Sequence, residues 1–201
     1  MPRIARDVLL FDGCYVHIIS RAIRKERIMR DKEDFITFLS LLKAAKRQSG
    51  FQLFHYCIMH THFHLAAMIP SVTAFSKSVQ FIKSQYCFKY HTKYRINGPI
   101  WRERFKSLLI EDENYLRVCG EYIEYNPVKA GLVKEAKDWP YSSKQFYNTN
   151  KIDELTDGYG AVGDTYKMLD VSLDDEKYFE GGIVIGSPYF RHKTIKKLKT
   201  I

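Results

Sequence analysis

The chain has no run of about 18 apolar residues, the length a membrane-spanning helix needs. Its opening residues, Met1-Pro2-Arg3-Ile4-Ala5-Arg6-Asp7, lack the apolar segment of a signal peptide. A cytoplasmic protein is therefore expected. Cysteine is scarce: Cys14, Cys57, Cys87 and Cys119 are scattered, with no Cys-x-x-Cys pair. That argues against a disulfide frame or a zinc ribbon and fits reduced thiols. With 201 residues there is too little chain for two large independent cores. Disorder is disfavoured as well, because 45% hydrophobic and 14% aromatic residues stand against 27% charged ones. Nor is there a phosphate-binding loop in Gly181-Gly182-Ile183-Val184-Ile185-Gly186, since no Lys-Ser/Thr follows it and no strong strand and helix flank it.

What the chain has in excess is positive charge. Lys and Arg total 32 against 23 Asp and Glu, a formal net charge of +9, with a pI near 9.3. Such a balance points to a polyanionic partner, nucleic acid first. The excess is concentrated in Lys77, Lys83, Lys89, Lys93, Arg95, Arg102, Arg104 and Lys106, with Glu103 the one acid between the ends of that stretch. Interleaved are Phe81, Tyr86, Phe88, Tyr90, Tyr94, Trp101 and Phe105, a mixture suited to neutralising phosphates and stacking unpaired bases. The same run also fits a solvated helix face over a buried aromatic stripe.

Residues Cys14 to Ser20 read as a first strand. Asp31 or Asp34 can cap a helix whose apolar residues Phe35, Phe38, Leu39, Leu41 and Leu42 recur at helical spacing until Gly50. Phe51 to Met59 and His62 to Ile69 read as a hairpin turning at His60-Thr61. A helix from about Thr73 to Tyr94 ends before Asn97-Gly98-Pro99, and Phe105 to Ile110 is strand-like. A further helix opens at Glu111-Asp112-Glu113, where carboxylates favour the positive end of the dipole, and is closed by Pro127 and Gly131. The order βαββαβ plus a helix predicts an α+β, ferredoxin-like sheet with helices on one face and an additional helix carrying Tyr122. Residues 1–147 would form this domain and 148–201 an appendage. The appendage is acidic from Asp153 to Glu180 and basic at Arg191, Lys193, Lys196, Lys197 and Lys199.

Two clusters could carry chemistry. His60, His62 and His64 lie two apart, which on a strand gives one face and room for a divalent ion. Satisfied polar histidines on an open sheet face are the other reading. On the last helix, Tyr122 and Asn126 are one turn apart and share a face, so a phenol and an amide oxygen can be presented together. Tyr122 also belongs to an apolar stripe with Tyr115, Val118, Cys119 and Ile123, which fits an ordinary packed tyrosine. Asn126 precedes a proline, which disfavours helical dihedrals there.

With those clusters in hand, the chain resembles the single-tyrosine HUH transposases, and most closely the REP-associated tyrosine transposases. The resemblance begins at Pro2-Arg3 and runs through Tyr15-Val16-His17-Ile18-Ile19-Ser20-Arg21, Asp31-Lys32-Glu33-Asp34-Phe35 and Tyr56-Cys57-Ile58-Met59. It continues in His62-Phe63-His64-Leu65, Gly98-Pro99-Ile100-Trp101-Arg102-Glu103-Arg104-Phe105-Lys106-Ser107 and Glu111-Asp112-Glu113-Asn114-Tyr115-Leu116. It ends with Tyr122-Ile123-Glu124-Tyr125-Asn126-Pro127-Val128-Lys129-Ala130-Gly131 and Trp139-Pro140-Tyr141-Ser142-Ser143. The likeness implies that His62 and His64 are the HUH pair, Asn126 a third ligand of Mg²⁺ or Mn²⁺, and Tyr122 the nucleophile that cleaves DNA to a 5′-phosphotyrosine. Relatives usually carry Pro-Asn where this chain has His60-Thr61, which leaves His60 as an extra ligand or a proton carrier.

The implied partner is single-stranded or hairpin DNA, held by Lys83, Lys89, Lys93, Arg95, Arg102, Arg104 and Lys106. The protein would be associated with the nucleoid when bound, and would act as a monomer or homodimer. A rival reading is a non-catalytic nucleic-acid-binding module, and a third a zinc-stabilised structural protein.

Overall fold

A computed structural model of the chain describes residues 9–149, 153–159 and 177–199. The start of the resemblance at Pro2-Arg3 and much of the acidic stretch, Asp164 and Asp170 to Glu176, lie outside the described residues.

β1 (Tyr15–Arg21) leads into α1 (Lys32–Ser49), which the sequence defines at both ends. Asp31 Oδ1 accepts from the Asp34 backbone N–H, and the Asp34 carboxylate accepts in return from the Asp31 N–H, a reciprocal cap. Gly50 ends the helix in the left-handed region at φ 67°, which glycine adopts without a Cβ penalty. β2 (Gln52–Ile58) and β3 (His62–Met68) form the hairpin, closed by the Met59 N–H on the His62 carbonyl at 2.8 Å. α2 (Val72–Tyr94) and β4 (Lys106–Ile110) follow, then α3 (Glu113–Lys129), capped by Asp112 on the Tyr115 N–H.

β2, β3, β1 and β4 lie side by side in that order with every neighbour antiparallel. The chain is α+β. α1 and α2 pack together over the face that carries Phe63, where the Phe38 and Phe63 rings approach to 4.9 Å. α3 covers the opposite face, against β1, β2 and β3. Strand alternation decides the division: Phe63, Leu65 and Ala67 point one way, His62, His64 and Ala66 the other.

The expected closure of α3 at Pro127 does not occur. The helix runs through Pro127 to Lys129. Proline removes the N–H that would reach the Ile123 carbonyl, and Asn126 Nδ2 donates to that carbonyl instead, at 3.3 Å, and to the Tyr122 carbonyl at 2.8 Å. The residue whose helical placement proline should disturb thus repairs the disturbance with its own amide. α3 ends just beyond, with Gly131 at φ 67°.

The appendage is not a separate body in its described parts. After the short helix α4 (Lys144–Thr149), Leu155, Phe179 and Ile185 are buried in the same core. Val184 and Ile185, from the glycine-spaced stretch, form β5 and pair with β4 in parallel. Its apolar residues therefore serve as a sheet edge. α5 (Pro188–Lys199) closes the described chain.

α3 approaches β2 closely at Gly120, where an added Cβ would collide with the His55 ring. His55 cannot swing aside freely, because its Nδ1 lies 2.8 Å from Glu124 Oε1 in a buried pair that Ser143 Oγ joins at 2.7 Å. Gly120→Ala is therefore expected to cost about 1–3 kcal/mol, read as a lower urea midpoint with an unchanged slope.

Candidate active site

The antiparallel register of β1 and β3 sets Ile19 opposite His64 and Arg21 opposite His62. Directly opposed residues share a face, so His17, Arg21, His62 and His64 all point towards α3. α3 meets them with Tyr122, whose ring lies edge-on to His17 at 6.3 Å and to His64 at 6.1 Å between centroids. The sheet thus presents a polar stripe, and the helix lays a phenol across it.

A segment from the C-terminal part of the chain closes over this meeting point. Phe179 stacks on Tyr122, with centroids 4.1 Å apart and planes 12° from parallel. Glu180 follows it, and the Tyr122 hydroxyl donates to Glu180 Oε1 at 2.8 Å. The same oxygen stands 3.6 Å from His64 Nε2. Arg21 forms an ion pair with the other carboxylate oxygen, and Lys106 Nζ donates to the Glu180 backbone carbonyl. Tyr122 is 2% exposed under this cover.

The hydrogen bonds fix the state of His64. His17 Nδ1 lies 3.1 Å from the Phe179 carbonyl, which can only accept, so Nδ1 carries the proton. Burial depresses the His17 pKa to about 3, so the ring is neutral and its Nε2 is a lone pair. That nitrogen, 3.0 Å from His64 Nδ1, accepts the His64 N–H. His64, pushed well below the ordinary histidine range by burial, is left with a bare Nε2 facing Glu180. Among the described residues that nitrogen has no hydrogen-bond partner. His62 is likewise lowered, to about 4, by burial and by Arg21, and lies 5.0 Å from the His64 ring.

Two neutral imidazoles and an amide are donors that suit a divalent ion. The two hydrogen bonds of Asn126 to the helix engage its Nδ2, so its carbonyl oxygen is the atom with lone pairs to offer. Asn126, His62, Tyr122 and Glu180 line one cleft of about 1210 Å³. Among the described residues no group of three or more His, Cys, Asp or Glu side chains is placed to hold a metal ion, so the amide is needed to complete the set.

The structure brings together Tyr122, His62, His64 and Asn126, but not His60. His60 precedes β3, packs edge-on to Phe35 and Trp139, and its Nδ1 sits 2.6 Å from the Met29 carbonyl. Its place is the turn of the hairpin, away from the cleft. The basic stretch divides in a similar way. Lys83 is buried with its ammonium on the Glu103 carbonyl at 2.6 Å. Lys93 ties α2 to the start of α1 through Asp31, Glu33 and Asp34 at 2.8–3.0 Å. Lys89, Arg95, Arg102 and Arg104 are exposed, and Arg102 lines the cleft. Of the interleaved aromatics, Tyr86, Tyr90 and Phe105 belong to the core, while Phe88 is 67% exposed. Sequence reasoning missed His17, Arg21 and Glu180. A polar residue alternating with apolar neighbours in β1 was a signal for His17. Glu180 offered none, lying 58 positions from Tyr122 in a stretch of many acids.

The α+β sheet thus brings one phenol edge-on to His64, with His62 beside it, under a single helix. The family model described as "Transposase IS200 like" matches residues 11–126, and the chain belongs to that family. A Haemophilus influenzae protein named as a candidate REP-associated tyrosine transposase is 33% identical over 143 residues, covering 65% of this chain and 80% of the relative. The REP-associated tyrosine transposase of Escherichia coli K12 is 31% identical over 99 residues, 49% of this chain and 57% of that protein. The solved structure of a REP-associated tyrosine transposase bound to a REP hairpin shares the fold, with a TM-score of 0.62 at 20% identity, covering 86% of this chain and all of that one. Among the described residues no helix is long and apolar enough to cross a membrane.

The histidines that the fold holds neutral, His17 fully buried and His62 half-buried, make stability depend on pH. The unfolded chain takes up protons on them near pH 6.5, whereas the folded chain holds His62 neutral down to about 4 and His17 down to about 3. Below pH 6.5 the unfolded state therefore binds more protons. The contribution is complete above that pH and is lost as pH falls, by about 1.4 kcal/mol per unit for each such histidine. Urea unfolding at pH 7.5 and pH 5 is expected to show a clear fall; equal midpoints would contradict the buried neutral state.

Proposed function

We propose that this protein is a metal-dependent enzyme that cleaves and rejoins single-stranded DNA beside a hairpin, with Tyr122 as the nucleophile. The observation that carries this reading is the shared target of two groups of different chemistry. The Tyr122 hydroxyl and the bare His64 nitrogen address one and the same oxygen, at 2.8 Å and 3.6 Å. A phosphate in that place would meet a nucleophile on one side and a ligand nitrogen on the other. The hairpin enters the proposal from the solved relative named as bound to one.

In the proposed reaction the Tyr122 oxygen forms a bond to phosphorus while the bond to the 3′ oxygen breaks. The phenolic proton passes to water in the cleft, and the departing 3′ oxygen takes one from water. The products are a 5′-phosphotyrosine and a free 3′-OH, so a second 3′-OH can reverse the step without an outside energy source. Mg²⁺ or Mn²⁺ held by His62, His64 and Asn126 would supply Lewis-acid polarisation of a phosphate oxygen. His17 orients His64 for that role, as partners behind a ligand do. Arg102 and the exposed Arg24, Lys25 and Lys129 line the cleft and can follow a DNA backbone into it. Glu180 has to yield its place on the Tyr122 hydroxyl before DNA can occupy it.

One observation favours the rival reading of a non-catalytic binding module: Tyr122 is almost fully buried, with its hydroxyl satisfied. A labelled hairpin with a single-stranded flank, incubated with Mn²⁺ and resolved on a denaturing gel, separates the two. The expected result is a covalent protein–DNA adduct, lost in Tyr122→Phe and reduced at least a hundredfold in His64→Ala. Glu180→Ala is expected to form it about tenfold faster, since a charge-assisted hydrogen bond no longer holds the phenol. An adduct that persists in Tyr122→Phe would overturn the assignment of the nucleophile.

A further inference from the structure

We infer that Arg21 is the residue that grips the scissile phosphate, and that the Glu180 carboxylate stands in the free protein where that phosphate goes. The inference rests on the cleavage reading and adds a residue to it. Glu180 is an anion 6% exposed, so its charge must be compensated locally. Two of the surrounding groups, a phenol O–H and a guanidinium, are donors that suit a phosphodiester, and the third is a nitrogen that can hold a metal ion beside it. The phenol donates to one oxygen, the bare His64 nitrogen faces that same oxygen, and the Arg21 guanidinium pairs with the other. Carboxylate and phosphodiester are both anions with two exposed oxygens, and a guanidinium's planar fork of donors suits either.

Arg21 is also held where the task requires it. It is the last residue of β1, directly opposite His62 in the register with β3, and its backbone carbonyl accepts from the Arg102 N–H at 3.0 Å. Its side chain keeps 33% of its surface accessible and lines the cleft. A rigid strand end thus places a permanent cation opposite a candidate metal ligand and on the same carboxylate as the nucleophile. An arginine there neutralises the non-bridging oxygens as negative charge builds up on attack.

The test compares two hairpin DNAs that differ at one atom. In one, the linkage to be cut is a phosphodiester; in the other it is a methylphosphonate, in which a methyl group replaces a charged non-bridging oxygen. Binding is measured without divalent ion, and adduct formation separately with Mn²⁺. The native chain is expected to bind the phosphodiester about tenfold tighter than the methylphosphonate, and Arg21→Gln to bind the two alike, with Arg21→Lys between. With Mn²⁺, Arg21→Gln is expected to slow adduct formation by about 10²–10³-fold on the phosphodiester, although it also releases Glu180.

A preference that survives in Arg21→Gln, or that the native chain never shows, would overturn the inference. Should Arg21→Gln fail to fold with Glu180 left unpaired, Arg21→Gln/Glu180→Gln removes both charges, and the same equal binding is expected of it. An Arg21-dependent preference without any adduct would reject the cleavage reading while leaving the phosphate grip in place. An adduct formed at the native rate by Arg21→Gln would do the reverse.

Discussion

The constraint on which the rest depends is the pairing of β1 with β3. One antiparallel register, with Ile19 opposite His64, puts two imidazoles, a guanidinium and a further histidine on a single face of the sheet. A slip of one residue would turn His62 and His64 into the apolar layer under α1 and α2 and push Phe63 out of it. The register is defended from that side: Phe63, Leu65 and Ala67 are fully buried, and moving them to the polar face would forfeit about 1.5–3 kcal/mol for each large side chain. The hydrophobic layer under α1 and α2 therefore positions the polar stripe under α3.

A polar stripe buried beneath a helix has to be satisfied, and the chain does this through its C-terminal part. The Phe179 carbonyl accepts the His17 Nδ1–H, the Phe179 ring covers Tyr122, and Glu180 compensates Arg21. Behind that segment β5 anchors it to the edge strand β4. The part of the chain with the least regular sequence thus completes the site electrostatically and occupies it at the same time. The histidine relay from Phe179 through His17 to His64 gives the occupation a further consequence, because it leaves the His64 nitrogen that faces Glu180 bare. The arrangement that covers the site also keeps it poised.

Much of this was legible in the sequence where the signal is local. The helix start at Asp31 or Asp34, the Gly50 stop, the hairpin turn and the alternation of His62 and His64 depend on neighbours within a few positions, and the fold contains each, with Asp31 the cap and Asp34 its reciprocal partner. It also contains the one-turn spacing of Tyr122 and Asn126, although proline argued against it; the rescue of the Ile123 carbonyl by a side-chain amide has no sequence signature. Long-range placements were not legible. Lys83 and Lys93 count as surface charge in a composition, yet one is itself buried with its ammonium on the Glu103 carbonyl and the other clamps a helix N-terminus. Tyr86, Tyr90 and Phe105 read as stacking platforms but serve the core: Tyr86 and Tyr90, one turn apart on α2, face inward, and Phe105 is buried just ahead of β4. Glu180 belongs to an acidic stretch with no pattern, and only the fold brings it to Tyr122.

The central claim is that the cleft between β1, β3 and α3 is built to hold an ion and a phosphate against Tyr122. Manganese anomalous diffraction from crystals grown with a hairpin DNA carrying a single-stranded flank tests it most directly. The expected result is an anomalous peak bonded to His62, His64 and Asn126, with a DNA phosphate on Arg21 in the place of the Glu180 carboxylate. A DNA-bound structure with no peak at those residues, and with Glu180 still hydrogen-bonded to the Tyr122 hydroxyl, would contradict it.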